Sequence, residues 1–196
     1  NTLDGAGVDL TNGYLFLHGS TIAINTLLER NGANTALLIT EGFRDIYEIG
    51  RVNRPDAYNL FFSKHVPLVP RSQRHEVSER LRADGSLHKP LDEEGVRALA
   101  RQLKEQQIEA VAVLLLHSYR NPDHERRVKA ILQEEIPGAF VTASHELSQE
   151  YREFERVSTA VANAYVGPRV SAYLGELEEH LEEKGFDGDF YAVQST

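Results

Sequence analysis

Two uninterrupted aliphatic runs constrain this chain most: Thr35 to Thr40, TALLIT, and Ala110 to His117, AVAVLLLH. A short apolar run without polar alternation is the pattern of a strand covered on both faces. Around these runs, apolar residues recur at helical spacing. Asp92 to Gln107 reads as a helix capped by Asp92, with Glu93 and Glu94 in its first turn and Val96, Leu99 and Leu103 as its stripe. Asn121-Pro122-Asp123 opens a second helix that runs to about Glu135, with Val128, Ile131 and Leu132 inward, until Pro137-Gly138 stops it. Ala139 to Ser144 is another strand. Gln149 to Tyr165 reads as a helix that Gly167-Pro168 interrupts; Arg169 to Lys184 resumes it, Gly185 caps it, and Phe190 to Val193 is the last strand. Strands separated by helices predict an α/β fold, a mostly parallel sheet with helices on both faces.

The first third adds a strand, a polar turn and a helix. Residues 1–13 carry glycines and no period, and read as a linker or frayed end; residues 14–196 read as the α/β domain. Tyr14 to Leu17 lead into His18-Gly19-Ser20-Thr21, and Ile24, Leu27 and Leu28 then give one buried helix face. Ser20 or Thr21 can take up an orphan amide of the first helical turn, and Gly19 permits a tight turn or a close approach. Thr21, Asn25 and Glu29 make a polar line beside the apolar one. A helix N-terminus holds anions readily, although a capped helix with a solvated polar face meets the same local requirements. Phe43 to Ile49 reads as a short helix, Arg51 to Arg74 as irregular, and Arg74 to Arg82 as a strand whose hairpin turns at Ala83-Asp84-Gly85-Ser86 into Leu87 to Lys89.

Composition removes several functions. A net charge of −9 disfavours a nucleic-acid or anionic-membrane partner. The longest aliphatic run, Ala110 to Leu116, is far short of the ~20 residues that cross a bilayer, and the start has no signal-peptide pattern. Zero cysteine excludes disulfides and thiol chemistry, and a cytoplasmic setting is the default. There is no P-loop, GxGxxG, HExxH or GxSxG motif. His117 and His124 flank SYRNPD at a spacing that fits no metal motif, so no metal ligand is assigned. The glutamates between Glu176 and Glu183 read as a solvated helix face.

Two further stretches carry candidate chemistry. On a helix, Arg152, Glu155, Arg156, Thr159 and Asn163 fall near one face, and Tyr151, Phe154, Val157 and Val161 near another. The charged set is open to two readings: surface ion pairs, or the lining of a polar cleft. Arg51 and Arg54, in GRVNRP, have the bidentate geometry that suits a carboxylate or phosphate, and equally read as solvated loop arginines.

The run HGSTIAINTLLERNGANTALLITEGFRDIYEIGRVNRP resembles the N-terminal region of the hydantoinase A / 5-oxoprolinase family, whose usual form is HGTTxATNALLERxGAxTAL followed by GFRD and EIGRxxRP. Ser20 stands where Thr is commoner and keeps a hydroxyl. Ile24 also stands where Thr is commoner and loses one, so position 24 is not counted as functional. The similarity continues through PLVPR, LLHSYRNPDHE and EYREFERVSTAVANAYVGP.

The resemblance implies part of an actin-like (sugar kinase/Hsp70-type) ATPase domain. It implies ATP-dependent opening of a cyclic amide such as a hydantoin or 5-oxoproline, with ATP and Mg²⁺ as cofactors and a second, hydantoinase B-type subunit in an oligomer. A subunit of an acetone- or acetophenone-type carboxylase, with a carbonyl substrate, is the near alternative; a non-catalytic docking module is the distant one. Taken with the motifs, His18 and Glu155 become the candidate catalytic residues. Gly19, Ser20, Thr21, Asn25, Arg51, Arg54, Arg152, Arg156 and Asn163 become candidates for binding substrate or nucleotide. The absent methionines, the start at Asn1, the end at Gln194-Ser195-Thr196 and the absent DIGGTFTD-type phosphate motif suggest an excised piece, without turnover or tight ATP binding of its own.

Overall fold

The structure is a computed structural model that describes residues 10–51, 58–59, 61 and 66–194. After a 3-10 turn at Leu10–Asn12 come β1 (Leu15–Ser20), α1 (Ile22–Glu29), β2 (Thr35–Thr40) and the one-turn α2 (Ile46–Ile49). β3 (Arg74–Val77), β4 (Arg80–Leu81) and β5 (Leu87–Lys89) follow, then α3 (Glu93–Glu105), β6 (Ala110–Leu114), α4 (Asp123–Glu135) and β7 (Phe140–Ala143). α5 (Ser144–Leu147), the long α6 (Glu153–Glu183) and β8 (Asp189–Gln194) complete the order.

β3-β2-β6-β7 form one sheet, parallel throughout. The two aliphatic runs are its centre, and their alternation divides the core between two faces. Ala36 and Leu38 of β2 with Val111 and Val113 of β6 pack under Val96, Ala100 and Leu103 of α3 and Val128, Ile131 and Leu132 of α4. Leu37 and Ile39 with Ala110, Ala112 and Leu114 pack under Val157, Ala160, Val161 and Ala164 of α6. Each fully buried Leu or Ile here is worth about 1.5–3 kcal/mol. The fold is therefore the expected α/β arrangement, with helices on both faces of a parallel sheet. From β2 the chain passes to β3 on one side and then to β6 on the other, so strand order reverses between β2 and β6. Asp92 caps α3 as read, accepting the Gly95 amide at 3.0 Å. Among the described residues no helix is long and apolar enough to cross a membrane.

Four local readings change. His18, Gly19 and Ser20 belong to β1, where they pair in parallel with Ala192, Val193 and Gln194 of β8; the turn is confined to Thr21. The apolar stripe of α1 is not buried: Ile24 is 53% and Leu28 77% exposed, and the buried residue is Thr26. The helix is pinned from its far end, where the Ala33 amide bonds the Tyr165 carbonyl at 2.9 Å and a Cβ on Gly32 would fall 2.3 Å from the Tyr165 ring. Arg74 to Arg82 serve two sheets, because β3 joins the main one while β4 pairs antiparallel with β5 across the expected Asp84-Gly85 turn. Finally, Gly167-Pro168 does not interrupt the last helix, which runs unbroken through Pro168 from Glu153, not Gln149. Gly167 marks instead a close crossing over β7, since a Cβ there would sit 2.3 Å from the Phe140 ring.

Candidate functional site

The candidate residues fall into three places. The first is the carboxyl end of β1 and the start of α1. Ser20 Oγ accepts the Ile22 amide at 3.2 Å, so Ser20 does the capping foreseen for Ser20 or Thr21. Thr21, at the N-cap position, makes no capping bond with its side chain; its Oγ1 accepts instead from Asn25 Nδ2 at 3.3 Å. The amides of Ala23 and Ile24 have no carbonyl one turn back to bond, as at every helix start. A Cβ on Gly19 would meet only Val193 Cγ2, at 3.9 Å, so packing within this chain does not require a glycine there. His18 Nε2 lies 2.6 Å from the Tyr173 hydroxyl, which holds the ring against α6.

The second place is the start of α6. Arg51 forms an ion pair with Glu155, two candidates brought together from 104 positions apart. Burial pushes the Glu155 carboxyl up, but its own amide, the hydrogen bond from Arg51 and the charges of Arg51 and Arg152 outweigh it and hold the group below the usual range. Arg152 is exposed, stacks 5.3 Å from the Tyr151 ring and bonds its hydroxyl at 3.1 Å. Arg54 lies outside the described residues. Asn163, three turns along α6, donates to Thr142 Oγ1 of β7 at 3.0 Å.

Arg156 separates from Glu155 and Arg152. Instead of sharing their polar face it turns into the core, 1% exposed, and donates through Nη2 to the Leu115 carbonyl at 2.9 Å and to Ser118 Oγ at 2.8 Å. Burial lowers its pKa, against the opposing pull of Glu125 and Glu153. Ser118 in turn bonds Glu125 Oε1 at 2.8 Å. That carboxylate is fully buried and accepts from the Leu115 amide and Ser144 Oγ on Oε1, and from the His145 amide and Nδ1 on Oε2, all within 2.9 Å. Burial pushes Glu125 up, yet the bonds from His145, Leu115 and Ser144 win and keep it below the ordinary carboxylate value. Beside it, Thr40 at the end of β2 donates to the buried Glu79, which also bonds His124 Nδ1 at 2.7 Å.

This buried network at the carboxyl ends of β2, β6 and β7 escapes a reading by motif. Its signal is nonetheless present: Glu125 continues the Val128-Leu132 stripe of α4 one turn towards the N-terminus, where a carboxylate must be buried and bonded.

The two candidate catalytic residues do not meet. Glu155 and Tyr173, the partner of His18, are five turns apart on α6, about 27 Å at 1.5 Å per residue, which is beyond the joint reach of two side chains. Among the described residues no group of three His, Cys, Asp or Glu side chains is placed to hold a metal ion.

Comparison with known proteins bears on these places. Residues 6–136 match the family model of the hydantoinase/oxoprolinase N-terminal region. An uncharacterized protein of Methanocaldococcus jannaschii is 40% identical over 199 residues, covering 100% of this chain and 29% of that protein. Caprolactamase subunit alpha of Pseudomonas jessenii is 37% identical over 173 residues, 87% of this chain and 25% of the relative. The crystal structure of ATP-dependent caprolactamase from the same organism superposes with a TM-score of 0.88 at 34% identity, over 97% of this chain and 28% of that one. Nucleotide-free acetone carboxylase superposes with a TM-score of 0.82 at 28% identity, over 97% of this chain and 29% of that one. The chain thus spans between a quarter and three-tenths of the length of these relatives.

Proposed function

This chain belongs to the hydantoinase/oxoprolinase N-terminal-region family, and from that premise we propose that it is part of an ATP-dependent enzyme that opens a cyclic amide C–N bond. In this reading residues 14–196 are the N-terminal α/β part of an actin-like ATPase domain, and a second subunit completes the enzyme, in keeping with the subunit naming of the caprolactamase relative. When bound, ATP supplies the phosphoryl group that makes a poorly reactive amide carbon open to water. Mg²⁺ needs only one or two protein carboxylates beside phosphate oxygens, and in this reading it arrives with the nucleotide.

The carrying observation is Gly19. It stands in extended backbone, with only an ordinary contact to Val193 where a Cβ would be and no packing need for glycine, next to a helix start. Such a position suits the close approach of a ligand oxygen. The oxyanion would meet the Ala23 and Ile24 amides and the Thr21 hydroxyl, whose acceptor side Asn25 already occupies. Ser20 keeps the turn in shape through Ile22, and Tyr173 fixes the His18 ring for a proton at the same end of β1. Arg51 and Glu155 fit a separate role, the binding of a substrate group or of the second subunit. The likeness to acetone carboxylase favours one second reading, in which the same phosphoryl activation serves a carbonyl compound or bicarbonate.

The test is Ser20→Ala with Thr21→Ala, and separately His18→Gln, in the full-length protein, with ATP turnover followed on 5-oxoproline, hydantoin and caprolactam. A mere cap costs about 1–2 kcal/mol of stability and leaves the rate per folded molecule unchanged. Contact with ligand lowers the rate at least about tenfold, equal to ~1.4 kcal/mol in the barrier. Wild-type rates in both variants at matched folded concentration would reduce HGST to a cap.

A further inference from the structure

The chain carries 21 Lys and Arg against 30 Asp and Glu, so a cation has acids to spare. Several arginines take one: Arg44 pairs with Glu76, Arg71 with Asp45, Arg74 with Glu48, Arg97 with Glu134 and Glu135, and Arg127 with Glu93. Arg80 and Arg82, on β4 and just after it, form no ion pair among the described residues. Arg80 lies 4.9 Å over the Phe43 ring, and Arg82 Nη2 is 3.3 Å from His88 Nδ1 on β5. The acid of this hairpin, Asp84, accepts the amide and hydroxyl of Ser86 on Oδ1, at 2.9 and 2.7 Å, and feels the charge of Arg82 without forming an ion pair with it. Arg80, Leu81, Arg82, Ala83, His88 and His117 line a cavity of about 310 Å³, near the lower end of the range for small-molecule pockets.

His117 supplies an independent observation. It lies just past β6, where strand order reverses between β2 and β6, and the Leu116 amide ties that segment to Thr40 Oγ1 of β2 at 2.9 Å. In open parallel sheets the crevice at such a reversal, outside the carboxyl ends, is where ligands bind. His117 is held at φ +61°, a left-handed conformation that a non-glycine residue adopts at a cost, and its buried Nδ1 has no hydrogen-bond partner. A strained imidazole and two guanidiniums that form no ion pair line the same cavity, an arrangement that suits a bound anion.

We propose that the cavity between the β4–β5 hairpin and His117 is a binding site for a small oxyanion, a carboxylate or a phosphate, anchored by Arg80 and Arg82. It shares no residue with the β1–α1 turn, which follows the β1–β8 sheet. Guanidinium gives the planar, bidentate recognition these groups need.

The test is arginine modification by phenylglyoxal in the full-length protein, read peptide by peptide by mass spectrometry, with inorganic phosphate or glutarate added. NaCl at equal ionic strength sets the baseline, and the exposed Arg126 is the internal reference. One of the two anions should slow modification of Arg82 at least tenfold while Arg126 is unaffected, and the effective one identifies the head group. Arg80→Gln and His117→Asn, the latter tolerant of a left-handed backbone, should each raise the concentration for half-protection roughly tenfold, the scale of one lost charge-assisted bond. Protection by neither anion beyond NaCl, equal protection of Arg126, or an unchanged midpoint in both variants would overturn the proposal.

Discussion

Replacing Glu125 by Gln removes the charge at the centre of the buried network and keeps its shape. With the new NH₂ group turned towards His145, Nδ1 at 2.7 Å can accept once the ring carries its proton on Nε2, and only the His145 amide at 2.9 Å is stranded. Turned the other way, it meets Ser118 and Ser144, whose hydroxyls can rotate to accept, and strands only the Leu115 amide. Either orientation strands one buried amide, at a cost of about 1–3 kcal/mol. Arg156, 1% exposed, also loses its counter-charge. Breaking a direct buried pair costs about 3–5 kcal/mol, but here Ser118 stands between the two groups, so the lower end applies and part of it is already counted. The expected total is about 3 kcal/mol, or a midpoint lower by about 6–12 °C for a chain of this size.

The pH dependence follows in sign. The folded Glu125 carboxyl sits below its ordinary 4.5, so its contribution is complete above that value and is lost as pH falls through the folded pKa. Urea unfolding of the 196-residue chain, followed by tyrosine fluorescence, should therefore show variant and wild type far apart at pH 7 and converging below about pH 4. Arg156→Met in the Glu125→Gln background should recover at least about 1 kcal/mol relative to additivity. A Glu125→Gln cost under about 1 kcal/mol at neutral pH, or a gap that widens in acid, would refute this account of the network.

The remaining expectations are simpler. Gly167→Ala places a methyl 2.3 Å from the Phe140 ring and should destabilise by about 1–3 kcal/mol, partly relieved by Phe140→Leu in a thermal melt. Arg51→Lys should leave the melting temperature nearly unchanged, because an exposed pair is worth under about 1 kcal/mol, yet lower turnover of the full-length enzyme if Arg51 binds substrate; equal activity would return it to a surface ion pair.

What the sequence makes legible here is what burial on a regular period encodes. TALLIT and AVAVLLL announce strands covered on both sides because no polar residue interrupts them, and the Asp92 cap and the Val128-Ile131-Leu132 stripe follow from bonding and period alone. Period fails where one contact outweighs it. Ile24 and Leu28 keep helical spacing and stay exposed, because Gly32 and Ala33 dock on Tyr165, about 130 positions of unrelated spacing later. Arg156 reads as polar surface because its burial depends on partners such as Leu115 and Ser118, which no local pattern pairs with it. Gly167-Pro168 reads as a break because proline forfeits a backbone bond, but packing against β6 and β7 carries the helix through.

That unbroken α6 sets the relation between the candidate places. Near its start Glu155 meets Arg51 and Arg156 enters the Glu125 network; a third of the way along Asn163 bonds β7; two thirds of the way along Tyr173 holds His18 of the β1–β8 sheet. The β1–α1 turn is therefore positioned relative to the main sheet by one helix, whose crossing over Phe140 is as close as Gly167 allows. A helix broken at Pro168 would let the two sheets move independently. A continuous one makes the separation of His18 from Glu155 a fixed property of the fold, so chemistry at either end must draw its complementary groups from elsewhere than the other end.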